Sequence, residues 1–217
     1  MRFIIREQEY EVLLAAGRLK YRSGALENWR LTEAVGDYRV MRVDLDRRDA
    51  GQNSSTLFHL LLDQGNQLER AKLRQIMPDG DLSVDVLVDG DLLHVSRAGG
   101  MGVAHDVVDR PAGFGLLLPG LVGLALFVGQ AGKERDHSAI WLDPARQFAP
   151  RQVAVEIETT MEEERLAVTG QMLAVQPYLI GRNGDRQTIW LDKYGLPVRV
   201  DDEEGLLALE DRYVRHR

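Results

Sequence analysis

The most apolar stretch of the chain reads Pro111-Ala-Gly-Phe-Gly-Leu-Leu-Leu-Pro-Gly-Leu-Val-Gly-Leu-Ala-Leu-Phe-Val-Gly129. From Phe114 to Val128, fifteen consecutive residues carry no charged or polar side chain. A helix that spans a membrane needs about 20 apolar residues. This run is shorter and is interrupted by Pro119 and several glycines, so it predicts a helix in a protein core and no transmembrane segment.

Pro119 indicates where that helix begins. Proline suits the first position of a helix, because the N–H that it lacks would have no partner there. The helix is therefore predicted near 119–129. A helix that is apolar on every side must be covered on every side. Two interpretations stay open: a sheet wraps around a core helix, or one side of the helix meets a lipid or a protein partner.

The segments on both sides of this stretch have the pattern of strands. Apolar and polar residues alternate through 38–45, and Asp89-Gly-Asp91 is a hairpin turn signal between two alternating arms. Residues 56–77 fit either helices or strands, and their two-residue period favours two strands. After residue 132, turn signals recur every eight to twelve residues or so, which predicts an antiparallel meander.

These elements together predict a mainly β protein. We expect one long, strongly curved antiparallel sheet, a half-barrel, wrapped around the apolar helical segment near 119–129. We also expect the whole chain, 1–217, to form a single domain. Its parts would be an N-terminal half at 1–110, the apolar central segment at 111–131 and a C-terminal meander at 132–217.

Composition and charge exclude several function classes. The chain has 27 Lys and Arg against 34 Asp and Glu, a net charge of −7, with no basic block. A nucleic-acid interface needs clustered basic residues, so none is expected. The chain has no cysteine, which removes disulfides and thiolate chemistry. The N-terminal residues lack the apolar core of a secretory signal, so we expect a cytoplasmic location.

The sequence offers few candidates for catalysis. The pairs His105-Asp106 and Asp136-His137 flank the apolar stretch and suggest a metal site, but adjacent residues of a strand point to opposite faces. No motif of a serine nucleophile or a phosphate-binding loop is present. We therefore predict no catalytic residue, no metal and no cofactor. An enzyme that uses His105 or His137 with nearby carboxylates is the weakest of three hypotheses.

Two further stretches carry a resemblance to a known family. One is Ile189-Trp-Leu-Asp-Lys-Tyr-Gly-Leu-Pro-Val-Arg-Val-Asp201, and the other runs from Val84–Val95 through His105–Arg110 to Pro111–Leu118. Together they resemble the glycolipid-binding family and related bacterial domains of unknown function. The resemblance implies a half-barrel similar to the lipoprotein carriers of bacterial envelopes. The missing secretory signal departs from those carriers and argues against a periplasmic shuttle.

The first functional hypothesis is therefore a binder of a lipid, a glycolipid or another apolar or amphipathic molecule, without catalysis. Its ligand would lie between the helix and the sheet, where burial contributes about 0.8 kcal/mol per methylene. The tetrapeptide Ile-Trp-Leu-Asp occurs twice, at 140–143 and 189–192, and is expected to place a tryptophan inside each time. The second hypothesis is an interaction module whose apolar stretch forms a homodimer interface. The predicted lining of the ligand site is Phe114, Leu117, Leu121, Leu124 and Phe127, with Trp141 and Trp190 as rigid walls.

Overall fold

The computed structural model is mainly β, with 67% of its residues in strands. It describes residues 9–100, 102–110, 115–131, 134–159 and 163–215, and residues 211–215 as backbone only. The strands belong to a mainly antiparallel sheet, and the described residues contain a single α-helix. Neighbouring strands run antiparallel except at one edge. The fold class expected from the sequence is confirmed.

The chain divides into two compact units. Unit 1 contains the described residues of Met1–Arg18, Gly24–Asp109 and Tyr213–Arg217. Its strands follow one another in chain order across the sheet, and from β2 onward each is antiparallel to the next. They are β1 (Val12–Tyr21), β2 (Leu26–Glu33), β3 (Arg39–Asp46), β4 (Ser55–Leu62), β5 (Leu68–Met77), β6 (Gly80–Asp89), β7 (Leu92–Gly99) and β8 (Gly102–Asp109).

The sheet of unit 1 has one buried and one solvent-facing side. On β5, Ala71 and Leu73 are buried while Lys72 and Arg74 are exposed. The register places Leu73 beside Phe58 of β4 and Val84 of β6, so buried side chains form rows across the strands. Burial of each such side chain contributes about 1.5–3 kcal/mol. The two-residue period of 56–77 therefore reflects strands, as predicted.

Unit 2 contains Leu19–Ser23 and the described residues of Arg110–Arg212. Its strand order across the sheet is β16, β15, β14, β13, β11, β10, β9, and β12 pairs with β13. The bounds are β9 (Gly115–Leu117), α1 (Leu121–Gln130), β10 (Asp136–Asp143), β11 (Ala149–Thr159), β12 (Glu164–Val168), β13 (Gln171–Arg182), β14 (Asp185–Asp192), β15 (Pro197–Asp202) and β16 (Gly205–Arg215).

The helix α1 begins two residues after the predicted start at Pro119. Gly120 is the N-cap with φ 89° and ψ 172°, a conformation that residues with a β-carbon rarely adopt, so the chain turns there before the helix starts. The first N–H of the helix, at Leu121, is satisfied by the hydroxyl of Tyr21, 3.2 Å away. With 10 residues, α1 is too short to cross a bilayer, and none of the described residues forms a longer apolar helix.

The apolar stretch also contains a strand that the sequence did not reveal. Residues Gly115–Leu117 form β9, which pairs with β10 in parallel, Gly115 beside Ala139. A β-carbon on Gly115 would lie 2.3 Å from two ring carbons of Phe127, and one on Gly123 would lie 2.6 Å from the carbonyl oxygen of Leu118. Both glycines therefore allow the helix to pack closely against the segment before it.

Candidate functional site

The predicted lining residues of the apolar stretch are buried in unit 2. Leu117, Leu121, Leu124 and Phe127 are exposed by 2%, 5%, 6% and 1%. Phe114 lies outside the described residues. These four side chains are therefore part of the core, in contact with their own unit.

The side of the sheet on which α1 lies follows from the register. The ring of Phe127 stands over Gly115 and meets the ring of His137 edge-on, with 6.4 Å between centroids. His137 and Ala139 lie opposite Val155 and Val153 of β11, and directly opposed residues share a face. We call this side of the unit 2 sheet the helix-bearing face.

The two tryptophans of the repeated tetrapeptide lie on opposite faces. Trp141 is two residues from Ala139 and therefore lies on the helix-bearing face, where it is half-buried. Ile180 of β13 pairs with β11 on the helix-bearing face, and Gln187 of β14 lies opposite Ile180, so Ile189 shares this face. Trp190 is one residue further along β14 and therefore lies on the other face. The indole Nε1–H of Trp190 donates to Glu164 Oε2 at 3.0 Å. This placement differs from the expectation that both tryptophans face inward.

Two arginines lie over the indole ring of Trp141. The guanidinium carbon of Arg151 is 4.7 Å from the ring centroid, and that of Arg182 is 4.4 Å away. Arg151 is the cross-strand neighbour of Trp141. Arg182 is two residues from the buried Ile180 on the same strand, so their side chains point to the same face. All three side chains of this group, which we call the Trp141 clamp, therefore lie on the helix-bearing face.

The electrostatics of the clamp are unusual. Burial lowers the pKa of Arg182; Asp185 opposes this shift, and the positive charge of Arg151 adds to it. The Nε–H of Arg151 is buried and has no hydrogen-bond partner among the residues that the structure describes. Among the described residues, neither guanidinium forms a hydrogen bond or a salt bridge with a carboxylate.

A polar cavity of about 350 Å³ opens beside Arg182 in unit 2. Arg22 donates to Asp202 and Glu204 in its wall, each at 2.9 Å. Arg22 is therefore paired with two carboxylates of the cavity wall, whereas Arg182 is not. The lining residues are Arg22, Ile180, Arg182, Asp185, Arg186, Gln187, Asp202, Glu203, Glu204 and Leu207.

Unit 1 carries two adjoining grooves that have His59 and Lys72 in common. Groove 1 has a volume of about 480 Å³ and groove 2 about 400 Å³. Burial and the positive charge of Arg42 lower the pKa of His59. The other walls of groove 1 come from Leu57, Phe58, Leu73, Arg74, Ser83, Val84, Asp85, Ser96, Arg97, Ala98 and Val103, and those of groove 2 from Tyr10, Glu11, Ala34, Val35, Tyr38, Val40, Arg42, Leu61 and Arg70.

The walls of both grooves are mainly apolar and also include charged groups. Val35 and Val103 are large apolar side chains that are 76% and 82% exposed. Lys72, at the junction, has its Nζ 3.7 Å from Asp85 Oδ2, a long ion pair at an exposed position. None of the predicted lining residues of the apolar stretch is in the walls of these grooves or of the polar cavity.

The candidate catalytic histidines have ordinary partners. In unit 1, the Nδ1 of His105 is 2.8 Å from Ser96 Oγ, while the adjacent Asp106 accepts from Arg97 at 2.6 Å. Ser96 and Arg97 lie on opposite faces of β7, so His105 and Asp106 diverge, as adjacent strand residues should. In unit 2, the Nε2 of His137 is 2.7 Å from the carbonyl oxygen of Glu134. Within the described ranges, no group of three or more His, Asp or Glu residues is arranged to hold a metal ion.

Comparison with known proteins shows the fold alone. No protein-family model and no curated protein matches the sequence. A solved β-barrel-like protein of the domain of unknown function DUF1849, from Brucella abortus, is 11% identical; the match covers 94% of this chain and 96% of that chain, with a TM-score of 0.55. A DUF1089 family protein from Pseudomonas aeruginosa is 15% identical over 91% of this chain and 92% of that chain, with a TM-score of 0.49.

The sequence contains a local signal for the Trp141 clamp. Arg151 precedes Val153 by two residues and Arg182 follows Ile180 by two. Each arginine therefore lies on the same face of its strand as a buried residue. A charged residue on the buried face of a strand indicates a candidate site, because burial of an unpaired charge is costly. The grooves of unit 1, in contrast, depend on side chains from strands far apart in the chain and have no local sequence signal.

Proposed function

We propose that the protein binds an apolar or amphipathic small molecule, such as a lipid or a glycolipid, and does not transform it. The observation that carries the proposal is the pair of adjoining grooves in unit 1. Each has a volume within the range of about 300–1,000 Å³ that is typical of small-molecule sites. The ligand's apolar part would lie along the groove walls, and a polar or anionic part would approach Lys72.

The arrangement of charge in the grooves favours an amphipathic ligand over a purely apolar one. Arg70 is neutralised by Asp85 at 2.7 Å, and Arg42 by Glu11 at 2.6 Å. Lys72 shares Asp85 with Arg70 at the longer distance of 3.7 Å, so its charge is the least compensated of the three. One weakly compensated cation beside apolar walls suits a molecule with an apolar body and one acidic or polar group.

A second location for the same ligand is the helix-bearing face of unit 2, as the sequence predicted. Leu117, Leu121, Leu124 and Phe127 would admit a ligand there only by moving apart, since they are packed in the core. Trp141, which is half-buried, is the one described member of the predicted lining on this face that a ligand reaches without such movement.

The proposal is tested by binding of a fluorescent C16 fatty acid to the purified full chain. Leu61→Asp and Val103→Asp place a charge in groove 2 and groove 1, and we expect each to weaken binding at least about tenfold. Met172→Asp is the matched control, because Met172 is 62% exposed and lies in unit 2 outside the three cavities. Trp141→Ala tests the helix-bearing face.

The outcomes separate the hypotheses. Loss of binding in Leu61→Asp and Val103→Asp alone supports the grooves, while loss in Trp141→Ala alone moves the ligand to the helix-bearing face. Equal affinity in all four variants refutes both locations. If no fatty acid binds and native mass spectrometry finds an empty homodimer, the interaction module replaces ligand binding as the proposed function.

A further inference from the structure

The Trp141 clamp has donors that stacking leaves unused. A guanidinium attracts an aromatic ring through its flat face, which contributes about 0.5–2 kcal/mol. Its five N–H donors point outward in its own plane and still require acceptors. The buried Nε–H of Arg151 has none. A buried polar group without a partner is rare in folded proteins and is a suitable position for a bound water or ion.

The two guanidiniums also share one indole ring. Each guanidinium carbon lies within 4.7 Å of the same ring centroid, so their separation is below the Debye length of about 10 Å in 0.1 M salt. Their mutual repulsion is therefore poorly screened. An anion that accepts from both would relieve the repulsion and satisfy the free donors together.

A second arginine–tryptophan pair in unit 2 provides a comparison. Arg199 lies over Trp190 with 5.0 Å between its guanidinium carbon and the ring centroid. Its Nε and Nη2 donate to the two carboxylate oxygens of Asp201 at 2.8 and 2.6 Å. Stacking on tryptophan therefore coexists with a bidentate carboxylate there. At Trp141 the same stacking occurs twice, and no carboxylate in the part of the chain that the structure describes accepts from either arginine.

We propose that Arg151 and Arg182 bind the phosphate group of a small molecule, with Trp141 holding both guanidiniums in position. Phosphate is the oxyanion that suits the site, since it presents several acceptor oxygens to two planar forks of donors. The polar cavity beside Arg182 leaves room for the rest of the ligand. This inference does not depend on the ligand proposed for unit 1.

Two carboxylates set the limits of the site. Asp185 and Asp143 both attract Arg182 electrostatically without accepting a hydrogen bond from it. Asp143 already accepts from the N–H of Ala145 at 3.0 Å. Asp185 is exposed and has no such role, so its charge opposes a bound phosphate. Asp185→Asn should therefore tighten phosphate binding, an effect that a purely structural clamp would not produce.

The test uses the indole N–H resonances of the ¹⁵N-labelled full chain, which has three tryptophans. Inorganic phosphate is titrated at constant ionic strength, and the Trp141 signal, assigned with Trp141→Phe, is expected to shift in a saturable manner. Arg151→Gln and Arg182→Gln should each weaken binding at least about tenfold, because each removes charge-assisted hydrogen bonds. Arg199→Gln is the matched control and should leave the affinity unchanged.

A second arm identifies the source of the phosphate. A single-chain lysophosphatidate and the neutral monoacylglycerol with the same chain are titrated below their micellar concentrations. If lysophosphatidate binds at least about tenfold more tightly than inorganic phosphate, the ligand is a lipid phosphate; equal affinities indicate a free or water-soluble phosphate. Either result supports the phosphate site, provided that the binding requires both Arg151 and Arg182.

Two results would overturn the inference. One is the absence of any Trp141 shift with inorganic phosphate and with lysophosphatidate in the wild-type protein, which does not depend on the folding of a variant. The other is binding that survives in Arg151→Gln and Arg182→Gln. Monoacylglycerol binding that ignores both arginines, together with the absence of any Trp141 shift with phosphate, would support the proposed function while refuting the phosphate site. Phosphate binding without fatty-acid binding in unit 1 would do the reverse.

Discussion

Replacement of Gly115 by alanine should reveal how tightly α1 is packed. The added β-carbon would lie 2.3 Å from Cδ2 and Cε2 of Phe127, far inside any contact that real β-carbons make. The ring of Phe127 is 1% exposed and rests edge-on against His137. It therefore has no solvent-filled space into which it can turn, and the helix or β9 must shift.

The magnitude follows from two opposing effects. Alanine in a strand interior is normally favoured over glycine by about 0.5–1 kcal/mol. Overpacking of a filled core costs about 1–3 kcal/mol. With a clash this short, we expect Gly115→Ala to lower the free energy of unfolding by about 1–3 kcal/mol. Phe127→Ala alone should cost about 3–5 kcal/mol, because it leaves a cavity.

The double variant gives the sharper test. The methyl group of an alanine at 115 would enter the space that Phe127→Ala vacates, so the two costs should not add. We expect the double variant to be more stable than the sum of the single effects predicts, by at least about 1 kcal/mol. Equilibrium unfolding in urea, followed by far-UV circular dichroism, measures all three values.

Gly129→Ala is the matched control for this series. Gly129 lies in the last turn of α1, and nothing is within 4 Å of its β-carbon position. The control should be neutral or more stable by up to about 1 kcal/mol, the helix propensity difference. Close packing of Phe127 over Gly115 is refuted if Gly115→Ala is as stable as the wild type, or if its cost adds fully to that of Phe127→Ala.

Three further predictions concern burial, pH and cooperativity. Glu11→Gln should lower the free energy of unfolding by about 3–5 kcal/mol in urea titrations, because it leaves Arg42, paired at 2.6 Å and nearly buried, without its anion; a loss below about 1 kcal/mol would contradict this. The lowered pKa of His59 means that the unfolded state binds more protons below about pH 6.5. Melting temperatures should therefore fall from pH 7 to pH 5, less so in His59→Gln, and an identical pH dependence would refute the assignment. The single-domain prediction requires the ¹⁹F resonances of 5-fluorotryptophan at Trp29 and Trp190, one in each unit, to report the same urea midpoint; separate midpoints would refute it.

The sequence predicted elements whose signal is local. Asn183 and Gly184 both adopt positive φ, at 54° and 92°, as the Asn-Gly turn signal between β13 and β14 requires. The strands at 55–62 and 68–77 followed from a two-residue period, and the helix from an unbroken apolar run. Each of these signals lies within one short segment of the chain, and nothing distant competes with it.

Features that depend on distant residues escaped the sequence analysis. The strand β9 is held by parallel pairing with β10, more than twenty residues further along the chain, and its three residues look like part of the helix. The helix α1 begins at Leu121 and not at the predicted Pro119, because Gly120 forms the turn between β9 and the helix. Pairing partners, and thus such boundaries, are not visible in a single sequence.

The repeated tetrapeptide shows what a short motif does and does not determine. In both copies the aspartate ends a strand and accepts backbone N–H groups of the following turn, Asp143 from Ala145 and Asp192 from Tyr194 and Leu196. The local structure is thus repeated.

The environment of the motif's tryptophan is not repeated, because the side on which a residue lies depends on the register with neighbouring strands. On β10 the register places Trp141 on the helix-bearing face, beside two arginines without carboxylate partners. On β14 it places Trp190 on the other face, where Glu164 accepts its indole N–H and Asp201 pairs its arginine. The copy at 189–192 therefore places its tryptophan in a contact whose donors have partners. The copy at 140–143 places its tryptophan beside donors that are unused, and only this environment suits a ligand.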